Sequence, residues 1–381
     1  MELNALPSQS LSLLIAIQEN PFATIDELAG RAGVSKPTAA KRLRELQGQR
    51  SAIVPKGKAE EMAYFVVKPL LSHHNLGYES VDVLLETNDL EGILRLEDIA
   101  TRHPYTAYRS RCYGAMNGEL LQFRTPVGTR PLIEAMVKQI SDEGAVTGYR
   151  FLPEEDEPTV YSSLRIDGWD SKTLTWKFDW DKWFTAETIV DEPVKREEWP
   201  GKSLSWLTKN DLSILQELMK GARRKNSDLI ETLRKNGTYF TPQTFSRRYR
   251  MIRDECIDGF RVTFDPSAFD IYTNVLILGT GGSAFLQRLR TKMVRNPIPF
   301  ESTMRVSGNQ LFWFIRLQPS HLSPVLTNLF SSLKQMTVCL LDYTHSYLYY
   351  VWPETLDENT HSWRTERQFM IDDVLRSTKQ R

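Results

Sequence analysis

The chain has 381 residues, 41% hydrophobic and 25% charged, which gives room for two or more domains with cores of their own. Lysine plus arginine and aspartate plus glutamate each number 48. That balance excludes both a uniformly basic nucleic-acid coat and an acidic disordered chain, so any nucleic-acid site must arise from local asymmetry.

Three cysteines, Cys112, Cys256 and Cys339, lie far apart without paired spacing, which argues against a disulfide framework and against zinc. No secretory signal and no membrane-length apolar run is evident, so a cytoplasmic protein is expected, with no metal, no cofactor and no membrane partner.

Leu11, Leu14, Ile15 and Ile17 give the first helix its core face. From Thr24 to Leu46 the residues predict two short helices. Thr24 and Glu27 form a capping box, Gly33 supplies the left-handed turn, Ser35 caps the second helix and Pro37 sits in its first turn. Ala39, Leu43 and Leu46 mark the buried side, leaving Lys36, Thr38, Lys41, Arg42 and Arg44 toward the open side, as in a helix that enters a DNA major groove. Two strand-like runs, 51–55 and 62–68, surround a Lys56-Gly57-Lys58 tip and complete a winged helix-turn-helix. After a short link, 73–75, the order over 78–152 is strand, helix, strand, strand, helix, strand, with an Asn117-Gly118 turn. That is the split βαβ, ferredoxin-like programme, whose open sheet face invites pairing.

The programme then repeats. Leu212, Leu215 and Leu218 mark one helix and Leu229, Ile230 and Leu233 the next; Thr241 caps a third, with Pro242 first and Phe245, Tyr249 and Ile252 inward. Gln243, Thr244, Arg247, Arg248, Arg250 and Arg253 give that third helix a basic surface, and 260–264 is read as its wing. A second ferredoxin-like order runs over 272–343, with Gly308-Asn309 in the place of Asn117-Gly118 and a helix expected over 324–336. The segment Gly279 to Gly282, GTGG, is read as a flexible connection. Tyr161 to Trp180 and Tyr347 to Arg367 both give an aromatic strand, a polar turn and a tryptophan, Trp176 and Trp363, and are expected to add a strand or hairpin to each sheet. Acidic, proline-bearing stretches at 153–158 and 191–200 read as linkers.

The expected fold class is therefore α+β. Winged helix-turn-helix domains at 1–70 and 205–267 alternate with ferredoxin-like domains at 76–185 and 270–367, with a linker over 186–204. Each half resembles the Lrp/AsnC family of feast/famine transcription regulators, most clearly over Glu27 to Leu46, ELAGRAGVSKPTAAKRLREL. The resemblance implies sensing domains that pair through their sheets and a small effector such as an amino acid near Gly114, Asn117 and Gly118, and near Ser307, Gly308 and Asn309. The expected partner is double-stranded DNA, read by a homodimer or a single-chain pseudo-dimer. Ser35, Lys36, Thr38, Lys41, Arg42, Arg44, Lys56, Lys58, Thr241, Gln243, Thr244, Arg247, Arg248 and Arg250 are the expected contacts. Some tetrapyrrole-processing (siroheme) decarboxylases resemble the same architecture, so an enzyme is the competing class and a protein-interaction module a third. No histidine has a partner at catalytic spacing, and no catalytic residue is assigned.

Overall fold

The computed structural model of the chain describes residues 8–47, 64–154, 158–190 and 201–376. Helix α1 (Ser8–Glu19) buries Leu13, Leu14 and Ile17 against α2 (Ile25–Ala32) and α3 (Lys36–Leu46). The capping chemistry is present: Thr24 N donates to Glu27 Oε2 at 2.7 Å, Glu27 N donates to Thr24 Oγ1 at 3.3 Å, and Gly33 turns the chain at φ 64°. The exit strand β1 (Phe65–Leu71) leads through a short turn, α4 (His73–Leu76), into β2 (Tyr78–Glu86), α5 (Leu90–Arg102), β3 (Thr106–Gly114), β4 (Gly118–Pro126), α6 (Arg130–Asp142) and β5 (Gly148–Phe151). The first half ends in an extension made of β6 (Val160–Ser162), a hairpin of β7 (Trp169–Asp170) and β8 (Thr175–Trp176), and α7 (Trp180–Thr185).

The second half repeats the order with α8 (Lys209–Lys220), α9 (Asn226–Lys235), α10 (Pro242–Glu255), β9 (Ile257–Phe264), β10 (Thr273–Gly281), α11 (Ser283–Arg295), β11 (Ser302–Ser307), β12 (Gln310–Leu317), α12 (Leu322–Phe330) and β13 (Leu333–Leu348). Its extension is the hairpin β14 (Leu356–Asp357) and β15 (Ser362–Trp363), then a π turn at Gln368–Asp372 and α13 (Asp373–Arg376).

One sheet runs β5-β2-β4-β3-β13-β10-β12-β11-β6. Each ferredoxin-like half contributes four strands in the same internal order, and β3 joins β13 where they meet. The sheet curls so that the faces away from the helices close on each other: Leu84, Tyr108, Cys112 and Leu120 of the first half share one apolar cluster with Leu276, Leu278, Phe312 and Cys339 of the second. Buried Asp82 on β2 pairs with buried Arg305 on β11, from near opposite ends of the strand order. The sheet pairing that the family resemblance implies thus occurs inside one chain.

Four readings change. The 260–264 segment is not a wing hairpin: β9 pairs antiparallel with β1, Phe65 against Phe264 and Lys68 against Arg261, as a ribbon joining the exits of the two heads. Of the expected first wing, 51–55 and the tip with Lys56 and Lys58 lie outside the described residues, while 65–68 belong to β1. Gly279 and Gly281 are strand residues instead of a flexible connection, and β13 packs closely over Gly279, where a Cβ would sit 2.6 Å from Leu333 Cδ1 and 3.2 Å from Gln335 O. Helix α12 ends at Phe330 and residues 333–336 belong to β13, because pairing with β10 overrides the helical spacing of Leu329, Leu333 and Met336. Finally, the aromatic extensions do not add a strand to their own sheets. Strand β6 pairs with β11 of the other half, and both hairpins stand off the sheet.

That last difference is a reciprocal exchange. Trp176 Nε1 donates to Phe269 O at 3.0 Å, just before β10, and Trp363 Nε1 donates to Leu76 O at 2.6 Å, just before β2. The hairpins match residue for residue. Asp170 and Asp357 accept turn N–H groups, Thr173 bonds Thr175 at 2.7 Å as Thr360 bonds Ser362 at 2.8 Å, and Leu174 and His361 both adopt positive φ. Each half is therefore covered by the tail of the other. The C-terminal segment is a docking element: Met370, Ile371, Val374 and Leu375 are buried, next to α5 and α6.

Candidate nucleic-acid interface

Helix α3 is held by Ala39, Leu43 and Leu46, so its N-terminal half projects Ser35, Lys36, Thr38 and Lys41. Ser35 Oγ accepts from Thr38 N at 3.3 Å and lies 2.8 Å from Thr38 Oγ1, so Ser35 is used as a cap and fixes the Thr38 hydroxyl. Lys36 pairs with Asp26 at 2.9 Å and Lys41 with Glu45 at 4.0 Å, all four exposed. Exposed pairs of this kind contribute about 0.2–1 kcal/mol, so exchange of the carboxylate for a phosphate is cheap. Arg44 is exposed, with Nε on Ala40 O at 3.3 Å. Arg42 departs from the expectation: it donates to Ser10 Oγ at 3.1 Å and turns back toward α1, which makes it a brace within the head.

Helix α10 repeats the presentation. Phe245 and Ile252 are buried, Tyr249 stacks on Phe245 with centroids 5.9 Å apart, and Thr241, Gln243, Thr244, Arg247 and Arg250 are exposed. Thr241 Oγ1 accepts from Thr244 N at 3.2 Å, as Ser35 does for Thr38. Arg248 is a correction. Its Nε donates to Asp211 Oδ1 at 2.6 Å and its Nη2 to Asp211 Oδ2 and, at 2.9 Å, to Trp206 O, with the guanidinium 5.0 Å from the Trp206 ring. A cation committed to a fully buried carboxylate is not available to a phosphate.

The two heads touch. Arg223, in the turn after α8, donates to Pro21 O and, at 2.7 Å, to Ala23 O in the α1–α2 turn, and Phe22 meets Phe260 of β9 edge-on at 4.8 Å. Composition and spacing could not mark Arg223, because its acceptors are backbone carbonyls about 200 positions away. Asp211, by contrast, went unread although the sequence carries its signal: it is the third helical residue after Thr208, a capping-box position that the structure fills.

The turns expected to hold an effector have other duties. Gly114 N donates to Asn117 Oδ1 at 3.1 Å and Gly114 pairs with Cys339 across the seam. A Cβ on Gly118 would lie 1.9 Å from Leu85 O, so this turn is packed against β2. Ser307, Gly308 and Asn309 form a tight turn, with Gly308 at φ 55° and Asn309 O accepting from Gly281 N at 3.0 Å. A cleft of about 790 Å³ lies elsewhere, between residues 184–189, α11 and the end of α12, and includes Arg288, Lys292 and Asn328.

His103 is fully buried, its Nδ1 accepts from Tyr105 N at 3.2 Å, and burial holds its ring down to about 3. His321 accepts from Trp180 Nε1 at 3.0 Å and is also lowered by burial. His103 Nε2 is buried without a hydrogen-bond partner among the described residues, and His321 Nε2 lies 3.3 Å from Trp176 O. No described helix is long and apolar enough to cross a membrane.

Residues 8–48 match a winged helix-turn-helix DNA-binding family model. No curated protein sequence matches the chain. Among solved structures, the siroheme decarboxylase NirDL is similar with a TM-score of 0.50 at 12% identity, covering 98% of this chain and 100% of that one. Its complex with an iron-uroporphyrin III analogue gives 0.49 at 12% over 97% and 99%. E. coli AsnC gives 0.27 at 14%, over 39% of this chain and 90% of that one. The fold is a tandem Lrp-like arrangement. At these identities the likeness speaks to architecture alone.

Proposed function

We propose that the protein is a DNA-binding transcription regulator in which one polypeptide acts as a pseudo-dimer with two reading heads. The observation that carries this reading is the matched presentation of α3 and α10: each has a hydroxyl-capped, exposed N-terminal half with basic residues beyond it. Lys41, Arg44, Arg247 and Arg250 neutralise phosphates and release counterions, which supplies most of the affinity and makes it fall with salt. Lys36, Thr38, Gln243 and Thr244, near the helix N-termini, meet base edges. The Arg223 contact and the β1–β9 ribbon hold the heads at a set separation, so the target is two half-sites in fixed phase.

Gel shifts over a salt series test this. Lys41→Ala and Arg247→Ala each weaken binding to all sequences and reduce the salt slope by about one, whereas Gln243→Ala changes preference between sites. Equal affinity of the triple variant and the parent refutes the assignment. A tetrapyrrole absorbance band in the purified protein would instead favour the decarboxylase class.

A further inference from the structure

The ribbon that joins the heads meets the second half of the sheet through an uneven cluster of charges. Lys68 on β1 and Arg261 on β9 stand directly opposite each other, a like-charge cross-strand pair that is unfavourable unless something offsets it. Thr263 lies two residues along β9 from Arg261, on the same ribbon face. From the sheet side, Glu301 pairs with Arg261 at 3.7 Å and with Arg316 of β12 at 3.3 Å. Three cations thus share one carboxylate. Burial raises the Glu301 carboxyl, but Arg316, Arg261 and Lys68 more than reverse that and hold it below the usual carboxylate range; burial and then Arg261 push the Lys68 ammonium down. Tyr343, beside the cluster, feels both Asp265 and Arg316.

The hydrogen bonds are as incomplete as the charge. Arg261 Nε, Arg316 Nε and Thr263 Oγ1 are buried and have no hydrogen-bond partner among the described residues. Buried donors left in this state signal a missing acceptor.

We propose that this junction binds a small, doubly charged oxyanion, either a phosphate group or a dicarboxylate. Two excess positive charges call for a dianion, and the orphaned guanidinium N–H groups and hydroxyl supply oxygen-directed donors from both faces. Water would satisfy the donors but leave the charge. A DNA backbone does not reach donors enclosed between ribbon and sheet. The site draws β1, β9 and β12 together, so its occupant ties the exits of both heads to the sensing sheet. It does not depend on the DNA-binding reading.

The test is thermal unfolding of the full chain at pH 8 in sodium chloride, inorganic phosphate or sodium succinate at matched ionic strength. Saturating phosphate or succinate raises the parent's Tm by about 3 °C over chloride. The increment disappears in Lys68→Met and in Lys68→Met with Arg261→Gln, which also controls for general salting-out stabilisation. Lys68→Met in chloride melts no lower than the parent, because it relieves the cross-strand repulsion, so loss of folding does not mimic loss of the site. An increment with phosphate alone assigns a phosphate group, and one with succinate alone assigns a dicarboxylate. Identical melting in all three salts, or an increment retained in the double variant, overturns the proposal.

Discussion

Arg247 and Arg248 are adjacent on α10 and should answer to different assays. Arg248 is about 16% exposed and its partner Asp211 is fully buried; the pair makes two guanidinium contacts, and Asp211 also accepts from Thr208 N at 2.8 Å and Thr208 Oγ1 at 2.7 Å. Removing the cation leaves a desolvated carboxylate with only its capping bonds, which costs about 3–5 kcal/mol, and loss of the guanidinium over Trp206 adds about 0.5–1 kcal/mol. Arg248→Ala should therefore lower the urea midpoint of the second head, read by Trp206 fluorescence. Arg247→Ala should leave that midpoint within about 0.5 kcal/mol of the parent while lowering DNA affinity and the salt slope. The reasoning is refuted if Arg248→Ala unfolds within about 1 kcal/mol of the parent, or if Arg247→Ala costs stability and leaves binding unchanged.

Glu119 gives a pH signature. It is fully buried and burial pushes its carboxyl up to about 8, against the pull of Arg109 at 3.5 Å. The folded chain keeps a proton that the unfolded chain releases in the ordinary carboxylate range, so stability falls from about pH 4.5 to 8, by about 5 kcal/mol at most; Glu119→Gln should flatten urea midpoints measured across that range. Trp363→Phe leaves Leu76 O without its donor and should cost about 1–3 kcal/mol by urea unfolding, with Trp176→Phe acting likewise through Phe269 O. Arg223→Ala should broaden the range of half-site separations recovered by selection from random DNA while leaving single half-site affinity unchanged; an unaltered separation preference would show that the ribbon alone sets the spacing.

Much of the architecture was legible wherever a residue's chemistry acts locally. The Thr24–Glu27 box, Gly33, the Ser35 and Thr241 caps, and prolines 37 and 242 punctuate the helices that form, and the element order of each ferredoxin-like half survives in the sheet. What escaped depended on partners remote in the chain. Nothing near Phe260 announces that β9 pairs with β1, and nothing near Trp176 announces an acceptor at Phe269. Arg248 is a subtler miss. It lies three residues after Phe245 and four before Ile252, on the flank of the buried stripe, just as Arg42 lies between Ala39 and Leu46. A basic residue on such a flank has a stem covered by the core and a head within reach of the neighbouring helix, so a helical wheel alone would have moved both toward bracing roles.

The crossing of the two tails bears on how the molecule is made. During synthesis the first half emerges with its Leu76 carbonyl and the neighbouring surface awaiting Trp363, which is translated almost three hundred positions later. At about 5–20 residues per second the ribosome needs roughly 15–60 s to deliver that cover. For that interval the nascent chain carries an unclosed apolar flank, so its maturation should rely on holdase chaperones, and two separately translated halves should find each other to close the same clasp.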